Sequence, residues 1–409
     1  MNLLREGRWT MSEILYAQRK LVKRPILILV ITLSVLVGTQ KGLTAGTDIQ
    51  DLAPYRNLFS NSQIRQLFVN LKVTPFGRED LAFNLLVPKN WRDIPLKVDP
   101  ELLQSAEQAF VSLTLQRAPE GKKGHPLIEV RYNKLDLEVG LSDWVDYYLQ
   151  ASEYEALLRR SGKYNRREVQ DVLVDMVQDG TSYIVRLTFS KHGDRIFLVS
   201  CSAAKAVFEE YAKIFGAAVV SFTVKEKSET EYAEPMRDYC NEAWPPLRFK
   251  YPSSWIIKEA EELPEGKTGI DISLRKRNQA AGREIAVAFI HVKGISNALG
   301  ESLKTIMNKM RKDFKSSGIN FVGKADTKEL RERITAPFIQ GELWDVTMEG
   351  VPCRLALIIQ SFEGYYTALG LLTVREGNPF ASMTGWRVFE IVASDLAKSS
   401  TPVSKVQRN

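Results

Sequence analysis

The chain has 409 residues, of which 44% are hydrophobic, 10% aromatic and 26% charged, an ordinary globular composition with material for about two or three cores. That excludes a disordered, collagen-like or polytopic membrane protein. Three cysteines exclude a disulfide-dense scaffold, and three histidines leave little for metal or acid–base sites. The formal charge of +7 points toward nucleic acid or a membrane surface until it is divided along the chain.

Residues 1–46 carry seven bases (Arg5, Arg8, Arg19, Lys20, Lys23, Arg24, Lys41) and two acids (Glu6, Glu13), a net of +5, whereas the other 363 residues hold 49 bases and 47 acids. The body is nearly neutral, so the excess belongs to targeting. Arg19-Lys20 and Lys23-Arg24 precede an apolar run of 14 residues, Pro25 to Gly38. That is short for a spanning helix of roughly 17–25 residues and fits a secretory h-region of about 7–15. Thr44-Ala45-Gly46 offers small residues for cleavage, although Leu43 disfavours cutting after Ala45. No cysteine follows the run, which excludes lipoprotein processing, and Met11 is an alternative start. The segment 1–46 reads as a cleaved signal peptide or an uncleaved membrane anchor, with a buried core helix as the third reading. Either of the first two exports the body, to the periplasm or to the outer side of the inner membrane of a bacterium.

Residues 47–77 form a lead-in whose amphipathic piece, Asn57 to Val73, repeats Leu58, Ile64, Leu67 and Phe68 at helical spacing. Two similar segments follow. The first opens with LAFNLLVPKNW, Leu81 to Trp91, and the second with PLRFKYPSSW, Pro246 to Trp255. In each an alternating strand runs into a proline and then a tryptophan, which reads as a core plug. A second strand comes next, Leu127 to Tyr132 or Glu284 to Val292. It leads to an amphipathic helix. In the first copy Ser142 caps it and Trp144, Val145, Tyr148, Leu157 and Leu158 line one face; in the second the stripe is Leu303, Ile306, Met307, Met310 and Phe314.

Antiparallel meanders then alternate across short turns, Thr181 to Cys201 around His192-Gly193-Asp194, and Glu342 to Val374 around Glu349–Pro352 and Glu363-Gly364. Each meander should turn one face to a helical layer. Closing helices span Ala203 to Val220 and Phe380 to Leu396. The expected class is α+β, two tandem domains at 78–224 and 244–397, each a mainly antiparallel sheet with helices packed on it. A charged linker occupies 225–243 and a frayed tail 398–409.

The strand–[V/Y]-P-x-x-W opening, the meander and the closing Val219-Val220-Ser221-Phe222 resemble the PsbP / Mog-type α/β/α sandwich. That group includes the oxygen-evolving-complex protein PsbP, the Ran-binding Mog family and bacterial exported DcrB-like proteins. The second copy departs from the closing motif with Val392-Ala393-Ser394-Asp395. The resemblance implies two tandem copies of that fold and binding or assembly roles, with no shared reaction and no functional residue to carry over.

Motifs of chemistry are sparse. His125, His192 and His291 show no H-x-x-x-H, and Cys201, Cys240 and Cys353 show no C-x-x-C. Cys201 and Cys353 read as buried strand residues, and Cys240 as the accessible thiol of the linker. There is no G-x-S-x-G, Walker loop or G-x-G-x-x-G. Lys122-Lys123 and Arg275-Lys276-Arg277 read as solvated loops, so no nucleic-acid partner is expected. Asp136, Glu138 and Asp143 read as solvated positions rather than a weak divalent site. No catalytic residue, cofactor or metal is assigned. Tyr147-Tyr148 and Tyr365-Tyr366 are the aromatic candidates for a protein partner; one of Tyr365 and Tyr366 is exposed if only one sheet face is covered, and a half-buried sheet tyrosine is the favoured reading. The expected function is an exported envelope protein acting as a non-catalytic protein-binding or assembly module, touching membrane only through its N-terminal segment. The alternatives are an enzyme whose site forms where the two domains meet, and a periplasmic sensor or metal-binding accessory.

Overall fold

The computed structural model describes residues 58–96, 110–120, 124–164, 167–178, 180–225, 231–259, 263–278, 283–375 and 379–399. The expected signal or anchor, Lys122-Lys123 and residues 400–409 lie outside them. The chain divides into two compact units, one built from 58–136 and 141–233, the other from Leu137–Gly140 and residues from Glu234 onward. Among the described residues no helix is long and apolar enough to cross a membrane.

The first unit opens with α1 (Asn61–Leu67), β1 (Phe68–Val73), β2 (Phe83–Pro88), β3 (Arg92–Asp93), β4 (Val111–Arg117) and β5 (Leu127–Lys134). It continues through α2 (Leu141–Ala151), β6 (Ala156–Tyr164), β7 (Arg167–Gln178), β8 (Thr181–His192), β9 (Arg195–Ala204), α3 (Phe208–Ser221) and β10 (Thr223–Val224). Seven strands form one antiparallel sheet in the order β3-β4-β5-β9-β8-β7-β6, and β1, β2 and β10 form a second, small sheet. Phe208, Phe215 and Ala218 of α3 pack on Ile128, Val130, Val199 and Cys201. On the opposite face Trp144 of α2 meets Phe110 and Phe189. Because both faces are covered, Arg195–Cys201 is buried at every position, the continuous pattern of an interior strand.

The second unit contains β11 (Met236–Asn241), β12 (Leu247–Pro252), β13 (Trp255–Glu259), β14 (Lys267–Asn278) and β15 (Arg283–Ser296). After these come α4 (Leu303–Ser316), β16 (Ile319–Ala325), α5 (Lys328–Arg333), β17 (Gln340–Met348), β18 (Val351–Phe362), β19 (Tyr365–Val374) and α6 (Pro379–Ser399). Its sheet runs β13-β14-β15-β19-β18-β17-β16, the same path as the first. Here Trp386, Phe389 and Val392 of α6 pack on Ile290, Ile358 and Leu371. Ile306, Met307, Met310 and Phe314 of α4 pack on Leu355, Leu357 and Leu372. Phe314 can approach because residue 370 is glycine: a Cβ there would stand 2.7 Å from the Phe314 ring. The expected α+β class with two such domains is therefore observed.

Several boundaries differ from expectation. The helix expected through Val73 stops at Leu67, because Phe68–Val73 pairs with β2 residue by residue. Ser60 and Gln63 fix its start through a capping box. The helix expected to include Leu157 and Leu158 ends at Ala151, and those leucines belong to the edge strand β6. Met236–Asn241, expected as linker, is a strand paired with β12. Arg275–Arg277, expected in a loop, continues β14 against β15 past a bulge. Four residues of the expected first domain, Leu137–Gly140, belong to the second unit. Each sheet is covered on both faces, as an α/β/α sandwich requires, so neither meander presents a bare face.

Candidate docking surface

The turn between β18 and β19 holds Gly364 at φ +82°, a left-handed conformation that costs other residues energy. The bare Cα also makes room for a ring: a Cβ there would lie 3.1 Å from Cζ2 of Trp244. The Trp244 ring meets Tyr365 edge-on at 5.3 Å, and Tyr365 in turn lies 5.1 Å from Phe362. Behind the tryptophan, the buried Thr268 hydroxyl donates to the Pro245 carbonyl at 2.7 Å. The Asn297 N–H donates to the Gly364 carbonyl at 2.9 Å, which ties the next short helical turn, with exposed Leu299, to the same corner.

Trp244 is thus fixed on three sides while 53% exposed. Covering its free half is worth on the order of 3 kcal/mol, from the area of a tryptophan at about 25 cal/mol per Å². Glu265 and Glu363, each next to a glycine of this corner, are exposed. Glu242, two residues before Trp244, is held below the usual carboxylate range by a 2.5 Å hydrogen bond from Arg248 and by one from Cys240.

The expected aromatic candidates lie elsewhere. Tyr365 is buried beneath Trp244, and Tyr366 is half-buried against the α4 side of the core. Tyr148 sits inside the Phe110–Trp144–Phe189 cluster, where burial pushes its hydroxyl up, and Tyr147 is half-buried with the same shift. Both follow from coverage of the second sheet face. Trp255 is fully buried and Trp91 packs against the first core, as expected of plugs. Trp244 was missed, although a tryptophan before two prolines at the end of a charged stretch is the signal that marks it.

The other candidates stay apart. His125 is exposed, and His192, expected in a turn, ends β8 buried beside the Ser190 hydroxyl. His291 Nδ1 lies 2.6 Å from Asp271 Oδ1, and its Nε2 is buried with no hydrogen-bond partner. A histidine–carboxylate pair becomes a nucleophile-activating device only when a hydroxyl or thiol meets the second nitrogen, and none does here. Burial pushes the Cys201 and Cys353 thiols up to about 12, whereas Cys240 is exposed. Glu138, expected in solvent, is fully buried within the second unit and receives Arg387 Nε at 3.0 Å; Asp136 is exposed and Asp143 half-buried. Among the described residues no three metal-ligating side chains converge.

No family model matches the chain, and no curated protein matches it. Solved structures similar to parts of it include the cyanobacterial PsbP of Synechocystis sp., with 12% identity over 39% of this chain and 92% of that one at a TM-score of 0.29. The Ran-binding protein Mog1p of Saccharomyces cerevisiae gives 12% identity, 38% and 96% coverage and a TM-score of 0.27. The type VI secretion immunity protein TplEi of Pseudomonas aeruginosa gives 14%, 70%, 96% and 0.18.

Proposed function

We propose that the chain is a non-catalytic protein-binding or assembly module, exported to a bacterial envelope, whose second unit docks a partner on the Trp244 corner. One observation carries the reading: Trp244 is seated against Gly364, Tyr365 and the backbone behind Pro245, yet half of it faces water. A rigid, partly uncovered tryptophan has the energetic profile of an interface anchor, since such residues dominate binding and lose little entropy on capture. Export is supported by the basic segment before the 14-residue apolar run.

The test is site-specific photocrosslinking in cells that make the full chain. A photoreactive side chain at position 244 should give one discrete protein adduct, whereas the same group at the exposed Val177 of the first unit should not. Equal labelling from both positions, or none from 244, would remove the docking assignment. The export part is read separately, from the mature N-terminus by mass spectrometry and from protease access to the body.

A further inference from the structure

Helix α4 buries Ile306, Met307, Met310 and Phe314. Its other side carries Lys304, Lys309, Arg311, Lys312 and Lys315 against the single acid Asp313. At about 100° per residue, Lys304, Arg311, Lys312 and Lys315 share an arc of roughly 100°. Asp313 is taken by Lys293 at 2.6 Å, and Lys309 by Glu301 at 2.9 Å. Lys304, Lys312 and Lys315 are exposed and meet no carboxylate among the described residues. The patch continues onto the edge strand β16. Lys324 and Arg311 both lie over the Trp344 ring, at 5.6 and 5.5 Å, sharing Glu342 at 3.6 and 3.7 Å. Beside Lys324, a bulge between Phe321 and Gly323 lifts Val322 out to 69% exposure.

The helix itself does not need this charge. Lys304 sits in the first turn, where the helix dipole disfavours a cation. Arg311–Lys315 and Lys312–Lys315 are like-charge neighbours at i,i+4 and i,i+3, a destabilising arrangement. Nor does the fold require it, because α2, at the corresponding place in the first unit, carries Asp143 and Asp146 and no base. We propose that the basic face of α4, with Lys324 and the bulged Val322 of β16, is a docking surface for a membrane bearing anionic lipid. The lysines line the convex side of a helix about 21 Å long and do not converge on one phosphate. They therefore suit many headgroups in a plane rather than a single anion. An exposed valine two residues from Lys324 suits the headgroup boundary and gains nothing against a phosphodiester backbone.

The experiment is flotation of the full chain with vesicles of phosphatidylcholine alone or of equal parts phosphatidylcholine and phosphatidylglycerol. The readout is the extra binding to the anionic vesicles; the N-terminal segment is the same in every variant. Each lysine near an anionic surface contributes about fivefold in affinity. K304Q/K312Q/K315Q should therefore lower the anionic increment roughly a hundredfold, and K304E/K312E/K315E by more. High salt should abolish the increment. The control K72E/K163E/K213E, at exposed lysines of the first unit, should leave it intact, as should Trp244→Ala. Circular dichroism checks each fold, and the glutamine set decides alone if the glutamate set misfolds. An unchanged increment in the α4 variants overturns the proposal, as does an equal loss in the control. Duplex DNA binding through the same lysines as tightly as the anionic vesicles also overturns it, in favour of a nucleic-acid surface.

Discussion

Removing the Asp171 carboxylate should destabilise the first unit more than any other single polar change. Asp171 is 0% exposed. Its Oδ1 accepts from Arg186 Nε at 3.0 Å and Thr188 Oγ1 at 2.8 Å, and its Oδ2 from Arg186 Nη2 at 2.7 Å and Arg160 Nη2 at 3.0 Å. Asp171→Ala removes the carboxylate that accepts twice from the buried Arg186 guanidinium, and breaking a buried ion pair by deleting one partner costs about 3–5 kcal/mol. At about 2–4 °C per kcal/mol for a unit of this size, the melting transition should fall by roughly 6–20 °C. The second unit shows the apolar solution at the same place. Counting back equally from the hairpin-closing pairs Gln178–Thr181 and Met348–Val351, Asp171, Arg186 and Thr188 correspond to Gly341, Ala356 and Ile358. There Leu330 and Phe338 close over Gly341. Asp171→Ala combined with Arg186→Met should accordingly recover more than half of the loss, because no charge stays buried. Scanning calorimetry of the full chain is the assay, with the first unit's transition moving and the second unit's holding still. A fall under about 2 °C for the single variant, or a double variant worse than the sum of the two single changes, would refute the reasoning.

Three further outcomes are expected. Gly370→Ala drives a methyl into Phe314 and Leu357 and should cost about 1–3 kcal/mol by denaturant titration. A disulfide reagent near pH 8 should label one thiol of the native chain, Cys240, and Cys201 and Cys353 only after unfolding; Cys240→Ser should remove the native reaction. Glu301 is held below the usual carboxylate range by hydrogen bonds from Lys267 and then Lys309. Its contribution to stability is present above the ordinary glutamate pKa and is lost as pH falls through the lowered folded value. Melting temperature followed from neutral to acid pH should thus drop less steeply in Glu301→Gln than in the parent chain.

The two meanders and the closing helices were legible because their alternation is long and their turns are marked, as at His192-Gly193-Asp194 and Glu363-Gly364. The strands missed were those whose pattern competes with another period or is interrupted. Leu157 and Leu158 extend the helical stripe of α2 by spacing alone, and only pairing with β7 decides against it. In β14 the alternation of Ile270, Ile272 and Leu274 gives way to Arg275-Lys276-Arg277, and a charged run resembles a loop until its partner strand is known. Coverage of both sheet faces is a tertiary property, so only the structure decides between an exposed tyrosine and the half-buried one found at 366, while Trp244 escaped notice. The basic face of α4 was present in the sequence, but averaging charge over 363 residues concealed it. The opposite signs of α2 and α4 appear only when each helix is counted by itself.

The order of strands bears on how each sheet comes together. Within either unit most neighbours in the sheet are also neighbours along the chain, so hairpins such as β7–β8 and β18–β19 close over a few residues. The exception is the central seam, where β5 meets β9 and β15 meets β19, joining Ile128 to Cys201 and Ile290 to Leu371. Closing a loop that long costs chain entropy before any contact repays it. The seam is therefore the natural rate-limiting step, made after two local meanders have already formed. Until it closes, β9 and β19, which are buried at nearly every position, each have one unpaired edge. A chain emerging in order from the ribosome completes β9 before β19 exists, which separates in time the closure of two seams of the same topology.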